Sequence, residues 1–99
     1  MNEISVKDLE ARLDAGEQPN MIDVREDEEV AAGMIPGAVH IPLQEIPERL
    51  GELDADKEYI IICRSGNRSS MACNFLDGNG YNVTNMTGGM LAWEGEVIA

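Results

Sequence analysis

Tyr59-Ile60-Ile61-Ile62-Cys63-Arg64-Ser65-Gly66-Asn67-Arg68-Ser69 is the stretch that decides the fold. Its first four residues form an apolar, β-branched run of the length and composition of a buried strand. A short glycine-containing turn follows, and then a helix over residues 67–77, with Ala72, Phe75 and Leu76 on one face and Gly78-Asn79-Gly80 as its stop. A cysteine at the carboxyl end of a buried strand, just ahead of a turn into a helix, is where an α/β protein sets a nucleophile over a ring of backbone N–H groups.

On either side of this unit, strand and helix patterns alternate. Ser5 with Asp8 resembles a capping box, and Val6, Leu9 and Leu13 recur at helical spacing, so a first helix runs from Val6 to Ala15 and ends at Gly16. Met21 to Val24 reads as a buried strand, and the acidic stretch from Arg25 to Glu29 leads into a short helix ending near Gly33. The run Glu26 to Glu29 is expected to be a solvated helix start, because carboxylates favour a helix amino terminus. Ile35-Pro36-Gly37 is turn chemistry, Ala38 to Ile41 a short strand, and Pro42 to Leu53 one helix carrying Ile46 and Leu50. Tyr81 to Met86 is the last strand and Gly88 to Trp93 a short terminal helix. Parallel strands need helical crossovers, so this order predicts a parallel sheet covered on both faces, with the active face at the strand carboxyl ends.

Ninety-nine residues support a single domain, here residues 1–99, and 43% apolar residues with few aromatics suit a small aliphatic core. Met1-Asn2-Glu3-Ile4 lacks the features of a secretory signal and no run of about 18 apolar residues occurs, so a cytoplasmic setting is expected. Cys73 falls more than one helical turn beyond the start of the helix that Cys63 precedes, roughly 7.5 Å along the axis at 1.5 Å per residue, which is long for a disulfide. Both cysteines are therefore read as free thiols.

The net charge of −12 argues against nucleic acid and anionic membranes as partners, since both need clustered lysine and arginine. Of only seven basic residues, Arg64 and Arg68 both fall in the six-residue segment that begins at Cys63. That concentration points to a small anion as the ligand of the loop. The amides of Arg64, Ser65, Gly66, Asn67, Arg68 and Ser69 can face a common concavity at the positive end of the next helix, and these dipoles with two guanidiniums lower a thiol pKa. Such a cradle stabilises negative charge on sulfur without a general base. His40, the one histidine, can approach the same face, with packing or hydrogen bonding as its expected role. Cys73, Met71, Met86 and Met90 are read as core packing, and Gly88-Gly89 with Trp93 as closing the fold tightly near the loop.

Asp23-Val24-Arg25, then Gly33 to Pro42, then Cys63 to Ser69, and finally Gly80-Tyr81 with Gly88-Gly89-Met90 and Ala92-Trp93 resemble the ordered motifs of the rhodanese family over nearly the whole chain. The resemblance implies a three-layer α/β/α fold with a central parallel sheet of about five strands. It further implies a sulfurtransferase in which Cys63 attacks the outer sulfur of thiosulfate, expels sulfite and carries a persulfide until cyanide or a thiol removes it. Two half-reactions predict ping-pong kinetics. In this reading the loop amides hold the persulfide, Arg64 and Arg68 attract the anionic donor, Asp23 and Arg25 tie loops together as structural support, and neither metal nor organic cofactor is needed. Met34 departs from the histidine of many relatives, at a place remote from the nucleophile.

Two other readings fit parts of the chain. A cysteine-based phosphatase or arsenate reductase also sets cysteine and arginine around an anion, but that class uses five intervening residues, whereas four separate Cys63 from Arg68. A persulfide carrier, or a regulatory module docking on a protein partner, shares the motifs. The presence of Cys63 speaks against an inactive module, and the acidity outside the loop suits a basic protein acceptor as well as it suits plain solvation.

Overall fold

The computed structural model describes residues 2–99. Five parallel strands, β1 (Asn2–Ser5), β2 (Asn20–Asp23), β3 (Val39–His40), β4 (Glu58–Ile62) and β5 (Asn82–Thr87), lie in the order β1-β5-β4-β2-β3. Helices α1 (Val6–Asp14), α2 (Asp27–Ala31), α3 (Asn67–Gly78) and α4 (Gly89–Ala92) connect or follow them. The result is the three-layer α/β/α arrangement, because the side chains of the central strand from Tyr59 to Ile62 find an apolar layer on either face. Tyr59, Ile61 and Cys63 pack with Ala72, Cys73 and Leu76 of α3, while Ile60 and Ile62 pack with Leu9 of α1 and Met86. Ile60, Ile61 and Ile62 are at most 1% exposed, and burial of such side chains stabilises by roughly 1.5–3 kcal/mol each. Among the described residues no helix is long and apolar enough to cross a membrane.

Several elements differ from the sequence reading. β1 carries no strand signal of its own, since only Ile4 of its four residues is apolar; it exists because β5 offers it a parallel partner, with Asn2 opposite Thr84 and Ser5 opposite Thr87. Ser5 then caps α1, its hydroxyl accepting from the Asp8 N–H at 3.0 Å. The expected helix from Pro42 to Leu53 is instead two short 3-10 segments, Leu43–Glu45 and Pro47–Glu52. Pro47 has no N–H to return to Leu43, so the chain closes tighter i−3 bonds such as Ile46 N–H to Leu43 and Arg49 N–H to Ile46.

On α3 the buried side chains are Ser69, Ala72, Cys73 and Leu76, an i, i+3, i+4, i+7 stripe. Phe75 and Met71 fall outside it and are 39% and 61% exposed, so neither belongs to the core as expected, whereas Met86 is fully buried and Met90 half-buried against the core. Met34 lies away from the loop, its backbone pairing in both directions with Ile98 at 2.8 Å.

Candidate active site

The loop between β4 and α3 is built by three constraints. Hydrogen-bonded pairing with β2 and β5 carries β4 to Ile62, so Cys63 emerges at the carboxyl edge of the sheet, fully buried. Gly66 has φ +104°, a left-handed conformation that turns the chain into α3 and that a β-carbon disfavours. The first turn of α4 then holds the loop from the other side, the Met90 N–H donating to the Cys63 carbonyl at 2.8 Å and the Leu91 N–H to the Arg64 carbonyl at 2.9 Å.

Donors converge on the Cys63 sulfur. The Gly66 N–H donates to Sγ at 2.9 Å, and the Ser69 hydroxyl stands 3.2 Å from it. Burial pushes the thiol pKa up, but the Ser69 hydroxyl and the amides of Ser69, Gly66 and Ser65 outweigh it, so the net direction is down. Amide contributions to the sulfur thus come from Ser65, Gly66 and Ser69, a narrower set than the full run from Arg64 to Ser69. Cys73, buried on the same face with no such donors, has its thiol pushed up to about 12 by desolvation. Both cysteines are free. One sulfur is prepared to ionise and the other to stay protonated.

The arginines separate. Arg64 is exposed at the loop, but Arg68 does not stand alone above the sulfur: it makes a two-pronged pair with Glu29 of α2, at 2.5 and 2.8 Å. Glu29 is therefore no purely solvated member of the acidic run; it positions Arg68, and its N–H partner Glu26 is tied to it at 2.9 Å. Asn67, also exposed, opens α3.

Asp23 and Arg25 form a buried pair below this layer, with Arg25 Nη2 2.8 Å from Asp23 Oδ2 and 2.8 Å from the Gly33 carbonyl. They tie the end of β2 to the end of α2 and touch no part of the loop through these bonds. His40 is spent on the same scaffold, its Nε2 lying 2.7 Å from the Arg25 carbonyl. The residue that sequence reasoning passed over is Asn85. It is 5% exposed on β5 and its side chain hydrogen-bonds the Ser69 hydroxyl directly behind Cys63. No sequence signal marked it, because Val83-Thr84-Asn85-Met86 mixes apolar and polar residues and its polar members read as solvent-facing. Among the described residues no group of three or more His, Cys, Asp or Glu side chains is gathered as a metal site.

The signature of the rhodanese-like domain matches residues 5–96. The chain belongs to the rhodanese-like domain family. It is 55% identical over 96 residues to YtwF of Bacillus subtilis, whose name includes the word sulfurtransferase, covering 97% of this chain and 93% of that one. A sulfurtransferase of Allochromatium vinosum is 43% identical over 94 residues, covering 94% and 88%. The crystal structure of a rhodanese-like domain protein from Staphylococcus aureus superposes with a TM-score of 0.91 at 38% identity, covering 97% and 94%. At the level of the family the chemistry is rhodanese-type sulfur transfer.

Within this rhodanese-like domain the Arg68–Glu29 pair yields a pH prediction. The Arg68 hydrogen bond, against partial burial, lowers the Glu29 pKa from 4.5 to about 2. A carboxyl depressed on folding adds stability that is complete above its unfolded value and is lost as pH falls from about 4.5 through about 2. Glu29→Gln is expected to lower the unfolding free energy at pH 7 by about 1 kcal/mol, the upper range for a partly exposed pair with two-pronged geometry. Urea unfolding of both proteins should show that gap closing between pH 4.5 and 2; a gap unchanged by acid would refute the pairing.

Proposed function

We propose that the protein, acting as a single domain, moves a sulfane sulfur from thiosulfate or a similar small anionic donor, through a persulfide on Cys63, to a thiol or cyanide acceptor. The observation that carries this reading is the set of donors around the Cys63 sulfur: the Gly66 amide at 2.9 Å and the Ser69 hydroxyl at 3.2 Å, with the Ser65 and Ser69 amides beside them. In the first half-reaction the Cys63 thiolate forms a bond to the outer sulfur of thiosulfate. The S–S bond of the donor breaks and its electron pair leaves with sulfite. The product, Cys63–S–S⁻, carries its charge on the terminal sulfur, and donors preorganised for anionic sulfur serve that charge without reorganising. In the second half-reaction the acceptor attacks that terminal sulfur and the Cys63 thiolate leaves.

Arg64, exposed at the rim, is the guanidinium best free to draw in the donor. Arg68 adds positive potential from its place beside Glu29. Ser65, Gly66 and Ser69 bind the reacting sulfur, and Asn67 lines the loop mouth.

The test is intact mass of the reduced protein before and after thiosulfate. One added sulfur atom, removed by a reductant and missing from Cys63→Ser, is the expected result, with ping-pong initial-rate patterns when an acceptor is supplied. Wild-type protein that gains no sulfur from thiosulfate or from a persulfide donor overturns the proposal.

A further inference from the structure

The hydroxyl of Ser69 has more partners than it has protons. Its Oγ lies 3.2 Å from Cys63 Sγ and 3.1 Å from the Gly66 carbonyl, and it is hydrogen-bonded to Asn85 Oδ1. A hydroxyl owns one proton and two lone pairs. While Cys63 is a thiol the arrangement is satisfied: S–H donates to Oγ, and the Ser69 proton goes to Asn85 or to Gly66. Once Cys63 ionises, sulfur only accepts. Ser69 must then turn its single proton to Sγ, and its lone pairs face two carbonyl oxygens that offer nothing.

A carboxamide resolves this conflict, because its two ends have nearly the same size and opposite hydrogen-bonding character. We infer that Asn85 is a positioning residue for the Cys63 thiolate: its carboxamide turns over when Cys63 ionises, so that Nδ2–H donates to Ser69 Oγ and commits the Ser69 proton to the sulfur. The Gly66 carbonyl cannot do this, since a carbonyl only accepts. It can replace Asn85 while Cys63 is a thiol, but not when it is a thiolate. Asn85 therefore favours the ionised state selectively. Chains of hydrogen bonds polarise one another in a buried setting, which strengthens the Ser69 donation to sulfur.

The surroundings leave Asn85 this role. The titratable and charged groups around Cys63 are Arg68 on α3 with its partner Glu29 of α2, Cys73 on α3, Arg64 in the loop, and the Asp23–Arg25 pair at the end of β2. β5 (Asn82–Thr87) and α4 (Gly89–Ala92), the elements that close the other sides, carry none.

Cys63 as the reacting sulfur comes from the proposed function, but the readouts here are of the thiolate and do not require sulfur transfer, so the two can fail separately. Asn85→Leu, close in shape and unable to donate, is expected to slow iodoacetamide alkylation of Cys63 at pH 7 about tenfold, the loss of one hydrogen bond supporting an ion, and to move the midpoint of the alkylation pH profile upward. Cys73→Ala serves as the background so that one thiol reports. In Ser69→Ala the further change Asn85→Leu should have no effect. A wild-type measurement guards against misfolding of the variants: the Asn85 side-chain amide protons should exchange with water more slowly, relative to those of exposed Asn67, once Cys63 ionises, and Cys63→Ala should remove that slowing. Unchanged alkylation in Asn85→Leu, a further loss in the Ser69→Ala background, or amide exchange indifferent to Cys63 would each overturn the inference.

Discussion

Cys63→Ala is expected to abolish sulfur transfer, while Cys73→Ala leaves the rate within about twofold. The two thiols share one face of the sheet and both are fully buried, so burial alone does not distinguish them. The difference is in what surrounds each sulfur. Around Cys63 the Ser69 hydroxyl and loop amides overcome desolvation; around Cys73 no hydrogen-bond donor offsets desolvation, which is the largest cause holding the thiol at about 12. The thiolate is the nucleophile, and at neutral pH a thiol held near 12 supplies on the order of one part in 10⁵ of it. Steady-state rates with thiosulfate and an acceptor thiol are the check. Loss of activity in both variants would sink the one-cysteine mechanism, and the stability of Cys73→Ala, measured alongside, separates a chemical role from a packing defect.

Gly89→Ala is expected to cost about 100-fold in activity, through the backbone and without removing any functional side chain. Gly89 sits at φ +59° in the first turn of α4, and a β-carbon there comes within 2.6 Å of the Ser65 amide nitrogen and closer still to the Arg64 carbonyl. Those atoms belong to the active loop, and backbone cannot swing aside as a side chain can. The loop must move, and with it the Ser65 and Gly66 amides aimed at the Cys63 sulfur. A misplacement of about 1 Å in such a constellation costs on the order of 100-fold. The Cys63 alkylation profile should shift to higher pH in the same variant, since the amides that favour the thiolate are the ones displaced. An active Gly89→Ala with an unshifted profile would mean the loop tolerates the intrusion.

How much of this is legible along the chain follows from the range of each interaction. Tyr59 to Ile62 reads as a buried strand because its signal is its own composition, and the turn at Gly66 reads because a left-handed residue in a strand-to-helix junction calls for glycine. The parallel sheet follows from alternation of elements. β1 was invisible because its pairing energy comes from β5, some 80 positions away. Phe75 and Met71 read as core residues along the chain, but apolar character says nothing of the phase of α3 against the sheet, which Ser69, Ala72, Cys73 and Leu76 set.

The site divides along the same line. Cys63, Arg64, Ser65, Gly66 and Ser69 lie within seven consecutive residues, and their chemistry could be argued from local order alone. Arg68 could not be placed, because Glu29 is 39 positions distant. Asn85 could not be found, because nothing in the sequence says which face of β5 lies behind Ser69, 16 positions earlier.

By itself the sequence determined the strand, the turn, the family and the cysteine proposed as nucleophile, since each rests on residue type in local order. Only the tertiary structure decided which amides reach the sulfur, which arginine stays free, and which buried amide stands behind the Ser69 proton. Those depend on distances of about 3 Å between groups that the chain keeps far apart, and hydrogen bonds weaken steeply outside that geometry.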